Sequence, residues 1–228
     1  VLTPTDLPDA KTAAAYNSQG YDHPPLRFGK DHTSSYYNQV KRLDDGVGLL
    51  IDVLRAKKQL DNTLLVFISD HGLRGKTTLR ESGLRVPLLV RWPGGADPGR
   101  TCEQLASSVD LLPTILEACG VTNETDSPGH SLLSLLRGED ADWPREHVYG
   151  TMTFHAPYML HCMRSVRGPR YKLVHNYHLT HRDKYPEYEL YDLMEDPLGH
   201  RNVIDRKDLA PAAERLKGQL LEWQAQTK

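Results

Sequence analysis

The chain has 228 residues, of which 39% are hydrophobic, enough for one sizeable core or for one core with a small subdomain. Its formal net charge is −2, so no overall field attracts nucleic acid or a membrane surface. No apolar run approaches the roughly 20 residues of a membrane span. The three cysteines are too few for a disulfide framework.

The first predicted helix follows a loop-like N-terminal stretch. Residues 1–31 are rich in Pro, Asp, Gly and Asn and predict a loop. The helix is expected from Ser34, with Thr33 or Ser34 as its N-cap. Apolar residues recur along it at steps of three and four and predict one buried stripe, made of Val40, Leu43, Val47, Leu50, Ile51 and Leu54.

Two apolar, β-rich runs come next. Residues 62–68 form a continuous run that predicts a strand buried on both faces of a parallel sheet, and residues 86–90 predict a second buried strand. Asp70 and His71 lie at the carboxyl end of the first strand, where open α/β sheets place their ligand sites. A glycine-bounded loop carrying Lys76 follows. We expect a metal ion and an anion to share this corner.

Two helices are predicted after the second strand. The first is expected over 111–119, capped by Ser108 or Asp110 and ended by Gly120. The second is short and covers 130–136.

The C-terminal part predicts a small antiparallel sheet with a covering helix, an α+β subdomain over 141–228 packed on an α/β domain over 1–140. Turn residues separate its short β-rich runs, and the last segment is amphipathic. The strands are expected at 147–151, 163–167, 171–175 and 189–191, and the helix at about 209–224.

Several motifs occur in a fixed order along the chain. They are Asp-His-Gly at 70–72, Gly-Lys-Thr-Thr-Leu-x-Glu-x-Gly at 75–83, Arg-Val-Pro-Leu-Leu-Val-Arg-Trp-Pro-Gly at 85–94, Ser-Val-Asp-Leu-Leu-Pro-Thr-Ile-Leu at 108–116 and Met-Arg-Ser-Val-Arg at 163–167. Together they resemble the sulfatase family of the alkaline-phosphatase superfamily, and an ordered set is more specific than a single motif. The block at 163–176 is particularly similar to the N-sulfoglucosamine class of that family. The resemblance implies an alkaline-phosphatase-like sandwich for the α/β domain.

The resemblance covers only the later part of the family. Members open with a strand that ends in paired aspartates, followed by a Cys/Ser-x-Pro-x-Arg element that carries the nucleophile, and this sequence contains neither. We therefore expect the chain to be the C-terminal part of a longer protein, or a remnant that cannot turn over substrate by itself. The resemblance implies a periplasmic, extracellular or lysosomal compartment.

The resemblance also implies roles for site residues. Asp70 and His71 would bind the family's calcium ion; because the family often has asparagine at the second position and imidazole suits softer ions, manganese is an alternative. Lys76 would contact the sulfate and act beside a histidine as general acid. His155 is the candidate for substrate contact. The alternative for Asp70 and His71 is an ordinary turn, for Lys76 a solvated surface lysine, and for His155 a loop histidine without a role.

The implied mechanism is covalent. A formylglycine, expected upstream of this chain, would attack sulfur as its hydrate as the S–O or S–N bond breaks and the alcohol or amine leaves, and the metal and cationic side chains would stabilise the sulfuryl oxygens. The first hypothesis is a sulfuric ester or sulfamate hydrolase acting on a sulfated sugar or glycosaminoglycan. The alternatives are a phosphoester or phosphonate hydrolase of the same superfamily and a truncated, non-catalytic binding module.

Overall fold

The computed structural model describes residues 30–72, 78–124, 126–139, 143–153, 161–179 and 186–227. Contacts divide the chain into two compact units, Val1–Thr63 and Leu64–Lys228, and the expected boundary near residue 140 stays a prediction. The described helices are α1 Lys30–Ala56, α2 Glu81–Leu84, α3 Leu111–Ala118, α4 Leu133–Leu136 and α5 Ala210–Gln226. The described strands are β1 Leu65–Ile68, β2 Leu88–Arg91, β3 Val148–Met152, β4 His161–Arg167, β5 Tyr171–Leu179 and β6 Tyr188–Asp192.

In the first unit, α1 begins at Lys30, so Thr33 and Ser34 lie inside the helix and the predicted N-cap is wrong. No proline or glycine precedes these residues within the first turn, so the backbone continues as a helix through them. Among the described helices, none is long and apolar enough to cross a bilayer.

The prediction of a buried stripe along α1 is also wrong. Val40, Leu43 and Leu50 are 45%, 56% and 52% exposed. The described element of this unit that packs on α1 is the 3-10 turn Leu60–Asn62. A single turn is too short to cover a helix of 27 residues.

In the second unit, β1 and β2 form a two-stranded sheet within the described residues, with Leu65 opposite Arg91 and Ile68 opposite Leu88. The pairing is antiparallel, so the predicted parallel arrangement is wrong. A parallel partner requires a crossover to the starting end of the sheet, whereas here the chain turns back through α2. The strands are half-buried rather than covered on both faces, and Leu89 is 60% exposed.

The segment that leads into α3 is organised around a buried carboxylate. The N-cap position of α3 is Asp110, one of the two predicted residues, although its side chain makes no capping bond to α3. Ser107 and Asp110 instead form a capping box on the preceding 3-10 turn, Ser108–Asp110. The Asp110 carboxylate is fully buried and accepts hydrogen bonds from the backbone N–H of Ser107 at 2.7 Å and of His130 at 2.8 Å. The Arg145 guanidinium also contacts it. These contacts join α3 to the segment before α4.

The predicted antiparallel sheet and its covering helix are confirmed. Within the described residues β3, β4, β5 and β6 pair in that order, each antiparallel to its neighbour. One face, which we call the helix face, is built on Val166, Leu173 and Leu190 and packs on α5. The residues buried with them are Val203, Leu209, Ala213, Leu216 and Leu220.

The opposite side of the same sheet, which we call the ionic face, carries Lys172, Glu189 and Tyr191. Side chains alternate between the two sides of a strand, which places these residues opposite the helix face. The segment 79–84 lies against the ionic face, with Leu79 in an apolar cluster that includes Tyr191. Segment 79–84 is thus the part of the chain that links the sheet to the end of β1.

Candidate metal and anion site

The candidate site begins in the turn directly after β1. The Ser69 hydroxyl donates to the carbonyl of His71 at 2.9 Å, and the backbone N–H of His71 donates to Asp70 Oδ1 at 2.9 Å. The Asp70 side chain is 83% exposed and that of His71 36% exposed. The turn therefore presents both side chains to solvent while its own hydrogen bonds fix the backbone.

The imidazole of His71 is oriented by the next peptide. Its Nδ1 lies 2.9 Å from the carbonyl oxygen of Gly72, and since a carbonyl can only accept, Nδ1 carries the proton. Nε2 then has a free lone pair, and it lies 3.7 Å from Asp70 Oδ2. One carboxylate oxygen and one imidazole nitrogen are thus close together.

Glycine is required at position 72. Its N–H donates to the carbonyl of Gly83 at 2.8 Å, and a Cβ at Gly72 would lie 2.2 Å from the carbonyl oxygen of Ser82. This close approach seats the Asp70–His71 turn directly on α2.

Of the predicted site residues, only Asp70 and His71 are among those that the structure describes, and their side chains lie close together. Lys76 and His155 lie outside the described residues. Among the residues that are described, no group of three or more His, Cys, Asp or Glu side chains could hold a metal ion. The pair can therefore supply part of a ligand set, and the metal-binding role remains a prediction.

The sequence does not reveal the buried ion pairs behind this turn. Lys172 Nζ lies 2.9 Å from Glu81 Oε1, and the two side chains are only 1% and 3% exposed. Arg167 Nε lies 3.4 Å from the other oxygen of Glu81. Burial lowers the pKa of the Lys172 ammonium, and the carboxylate of Glu81 opposes this shift. Polar residues at alternate positions of a strand usually indicate a solvated face. The sequence around Lys172 therefore does not show that this lysine is buried in an ion pair.

A second ion pair joins the same segment to β6. Arg80 Nη2 donates to Glu189 Oε2 at 2.9 Å, and the amide of Asn176 donates to Oε1 at 2.9 Å. The Tyr191 hydroxyl also donates to Glu189. Burial tends to raise the pKa of Glu189, but the hydrogen bonds from Tyr191, Asn176 and Arg80 outweigh it and hold the pKa below its ordinary value. Burial and Glu189 raise the pKa of Tyr191.

Two family models match the chain. The model described as N-sulphoglucosamine sulphohydrolase, C-terminal, matches residues 69–226, and the model described as Sulfatase matches residues 4–121. The first range contains the Asp70–His71 turn, α2, the four-stranded sheet and α5.

Individual sulfatases are similar over most of the chain. An ulvan-active sulfatase of Formosa agariphila is 33% identical over 188 residues, which cover 72% of this chain and 37% of that protein. The human N-sulphoglucosamine sulphohydrolase is 29% identical over 242 residues, which cover 85% of this chain and 48% of that enzyme. The structure of BT4656 in complex with its substrate D-glucosamine-2-N,6-O-disulfate superposes with a TM-score of 0.70 at 28% identity, covering 95% of this chain and 45% of that one. The chain therefore spans less than half the length of these proteins.

Proposed function

The chain belongs to the sulfatase family, and from this premise we propose that the intact protein hydrolyses a sulfuric ester or sulfamate of a sulfated sugar. The observation that carries the proposal is the match of the N-sulphoglucosamine sulphohydrolase model to residues 69–226, a range that includes the Asp70–His71 turn, the four-stranded sheet and α5. The substrate bound in the BT4656 structure supports a sulfated glucosamine as the substrate class. An N-sulfated glucosamine is the first substrate to try.

Asp70 and His71 are the residues of this chain that would hold the divalent metal. Their donors fit such an ion because an exposed carboxylate oxygen and an imidazole nitrogen with a free lone pair lie 3.7 Å apart. When bound, the ion would act as a Lewis acid on a sulfate oxygen. We propose calcium by family resemblance, with manganese as the alternative that the imidazole nitrogen favours. The remaining ligands would come from outside the described residues.

Lys76 and His155 would act on the substrate. The ammonium of Lys76, a compact cation, is suited to neutralising a sulfate oxygen or the charge that develops on the leaving atom. His155 would contact the sugar. A formylglycine upstream of this chain would supply the nucleophile.

Sulfate release by the intact protein tests the proposed activity. We expect release from an N-sulfated or O-sulfated glucosamine and no hydrolysis of a phosphonate monoester. Lys76→Ala should lower kcat by about 100-fold, since removal of one group that stabilises transition-state charge has an effect of this size. Preferential turnover of the phosphonate monoester would instead assign the protein to the alternative hydrolase class, and unchanged turnover by Lys76→Ala would remove this lysine from the site.

Metal content tests the role of Asp70 separately. Asp70→Ala in the intact protein should lower the bound calcium or manganese measured by elemental analysis, because one of the charged ligands is lost. Asp52→Ala is the matched control, since Asp52 is also an exposed carboxylate, 69% accessible, but pairs with Arg55 on α1. Equal metal content in both variants would contradict the ligand assignment.

A further inference from the structure

Strand β6 carries two arginine–carboxylate pairs that are closely matched. Arg80 and Glu189 are 43% and 4% exposed and lie 2.9 Å apart. Arg170 and Asp192 are 46% and 2% exposed and lie 2.7 Å apart. The two pairs thus have the same chemistry, similar burial and neighbouring positions on one strand.

The pairs differ in what the arginine belongs to. Arg170 lies in the turn between β4 and β5, so its pair with Asp192 joins two neighbouring strands of the sheet. Arg80 directly precedes α2, and its pair with Glu189 joins the sheet to a segment 109 residues earlier in the chain. Of these two pairs, therefore, it is the Arg80 pair that connects the sheet to the candidate site, as the Glu81–Lys172 pair also does.

A short series of hydrogen bonds leads from Arg80 to the site. The carbonyl of Arg80 accepts the N–H of Gly83 at 2.9 Å, and the carbonyl of Gly83 accepts the N–H of Gly72 at 2.8 Å. The carbonyl of Gly72 in turn lies 2.9 Å from Nδ1 of His71. Each step is a directional contact, so the orientation of the imidazole depends on the position of the Arg80 backbone.

The carboxylate that receives Arg80 is itself immobilised. Glu189 also accepts from the Asn176 amide at 2.9 Å and from the Tyr191 hydroxyl. The Arg80 guanidinium lies 5.6 Å from the centre of the Tyr191 ring. Three hydrogen-bond donors hold this buried carboxylate in one orientation. A planar guanidinium that binds it is therefore also held in one orientation.

We propose that Arg80 is a positioning residue for the Asp70–His71 turn. Through its pair with Glu189 it sets the place of α2, and α2 sets the orientation of Gly72 and the His71 imidazole. The neighbouring pair of Glu81 and Lys172, 2.9 Å apart, supports the same segment. The inference rests on the proposed function, because it assigns Arg80 an effect on catalysis by the intact protein without contact with the substrate.

The test compares Arg80→Gln with Arg170→Gln in the intact protein. Arg80→Gln removes the charge that Glu189 receives, so we expect kcat for sulfate release to fall about ten- to hundredfold with KM changed less than about threefold, since small misplacements of catalytic groups have effects of this size. Arg170→Gln removes a similarly exposed cation from a carboxylate on the same strand, β6, and should leave kcat within about twofold of the original. Arg80→Lys, which keeps a cation within reach of Glu189, should recover most of the loss.

A second readout does not depend on activity. Deuterium uptake by the peptide 66–72 should rise in Arg80→Gln and stay unchanged in Arg170→Gln, because the Gly72 N–H loses its fixed acceptor. If Arg80→Gln fails to fold, Glu189→Gln breaks the same pair from the sheet side and is measured in the same way.

The outcomes are distinct. Unchanged kcat and unchanged uptake in Arg80→Gln, or equal effects in Arg170→Gln, would overturn the positioning role. Absence of sulfate release by the unmodified intact protein would overturn the proposed function, and the uptake comparison alone would then decide the role of Arg80 in ordering the turn.

Discussion

The two faces of the four-stranded sheet are held by different kinds of contact. On the helix face Val166, Leu173 and Leu190 are completely buried against α5. On the ionic face Lys172 and Glu189 are buried at 1% and 3% exposure by the segment that leads to the candidate site. One sheet therefore packs on a helix through apolar area and on a site segment through buried ion pairs beside a smaller apolar cluster around Leu79.

The difference indicates separate roles for the two faces. Apolar burial stabilises in proportion to the area removed from water and does not depend strongly on direction. A buried ion pair contributes little net stability because desolvation offsets the attraction, but its geometry is specific. We infer that the helix face stabilises the sheet and that the ionic face orients the segment 79–84.

The largest expected effect is on the ionic face. Glu81→Gln leaves the buried Lys172 and the partly buried Arg167 without their shared carboxylate, and breaking a buried pair such as Lys172–Glu81 costs about 3–5 kcal/mol. The free energy of unfolding of the intact protein, measured with urea, checks this. Glu124→Gln, an exposed carboxylate, is the control. A loss below about 1 kcal/mol would mean that water solvates the two cations at little cost.

A slightly smaller effect is expected on the helix face. Leu216 is 1% exposed, and Leu216→Ala should lower the free energy of unfolding by about 3 kcal/mol because it leaves a cavity against the sheet. Sulfate release per folded molecule should not change, since this face does not contact the segment 79–84. A fall in kcat at temperatures where the variant is folded would contradict the proposal that the helix face stabilises the sheet without orienting the segment 79–84.

The pH dependence of stability sharpens the comparison further. The folded-state pKa of Glu189 lies below its ordinary value of 4.5, so its ionised contacts stabilise the protein above pH 4.5. That contribution disappears as the pH falls through the folded-state pKa. Melting temperatures between pH 7 and pH 3 should therefore fall less steeply for Glu189→Gln than for the unmodified protein. Parallel curves would show that Glu189 does not contribute to acid sensitivity.

The smallest expected effect concerns the matched arginines. Arg80→Gln and Arg170→Gln should each lower the free energy of unfolding only slightly, because both arginines are more than two-fifths exposed to water. Similar losses would show that any difference in kcat between them comes from position rather than stability. A much larger loss in Arg80→Gln alone would instead make it a stability residue.

Local patterns in the sequence predicted much of this molecule. Strands were expected at 147–151, 163–167, 171–175 and 189–191, and the structure has strands at all four places. Such strands can be predicted because they are short alternating runs bounded by turn residues, a pattern formed by residues that are neighbours in the chain. The nearness of Asp70 and His71 is also visible in the sequence, because the two residues are adjacent and lie at a strand end. The motif order also indicated the sulfatase family, which the family models confirm.

What the sequence alone determined is therefore local: the type and place of most elements, the family, and the nearness of two candidate ligands. Only the tertiary structure decided that β1 pairs antiparallel with β2 and that Lys172 is buried against Glu81. Lys172 and Glu81 are 91 residues apart, and Arg80 and Glu189 are 109 apart. A lysine on a strand gives the same sequence pattern whether it is buried or exposed to water. Which of the two occurs depends on a carboxylate from a segment far away in the sequence, because a buried cation needs such a partner.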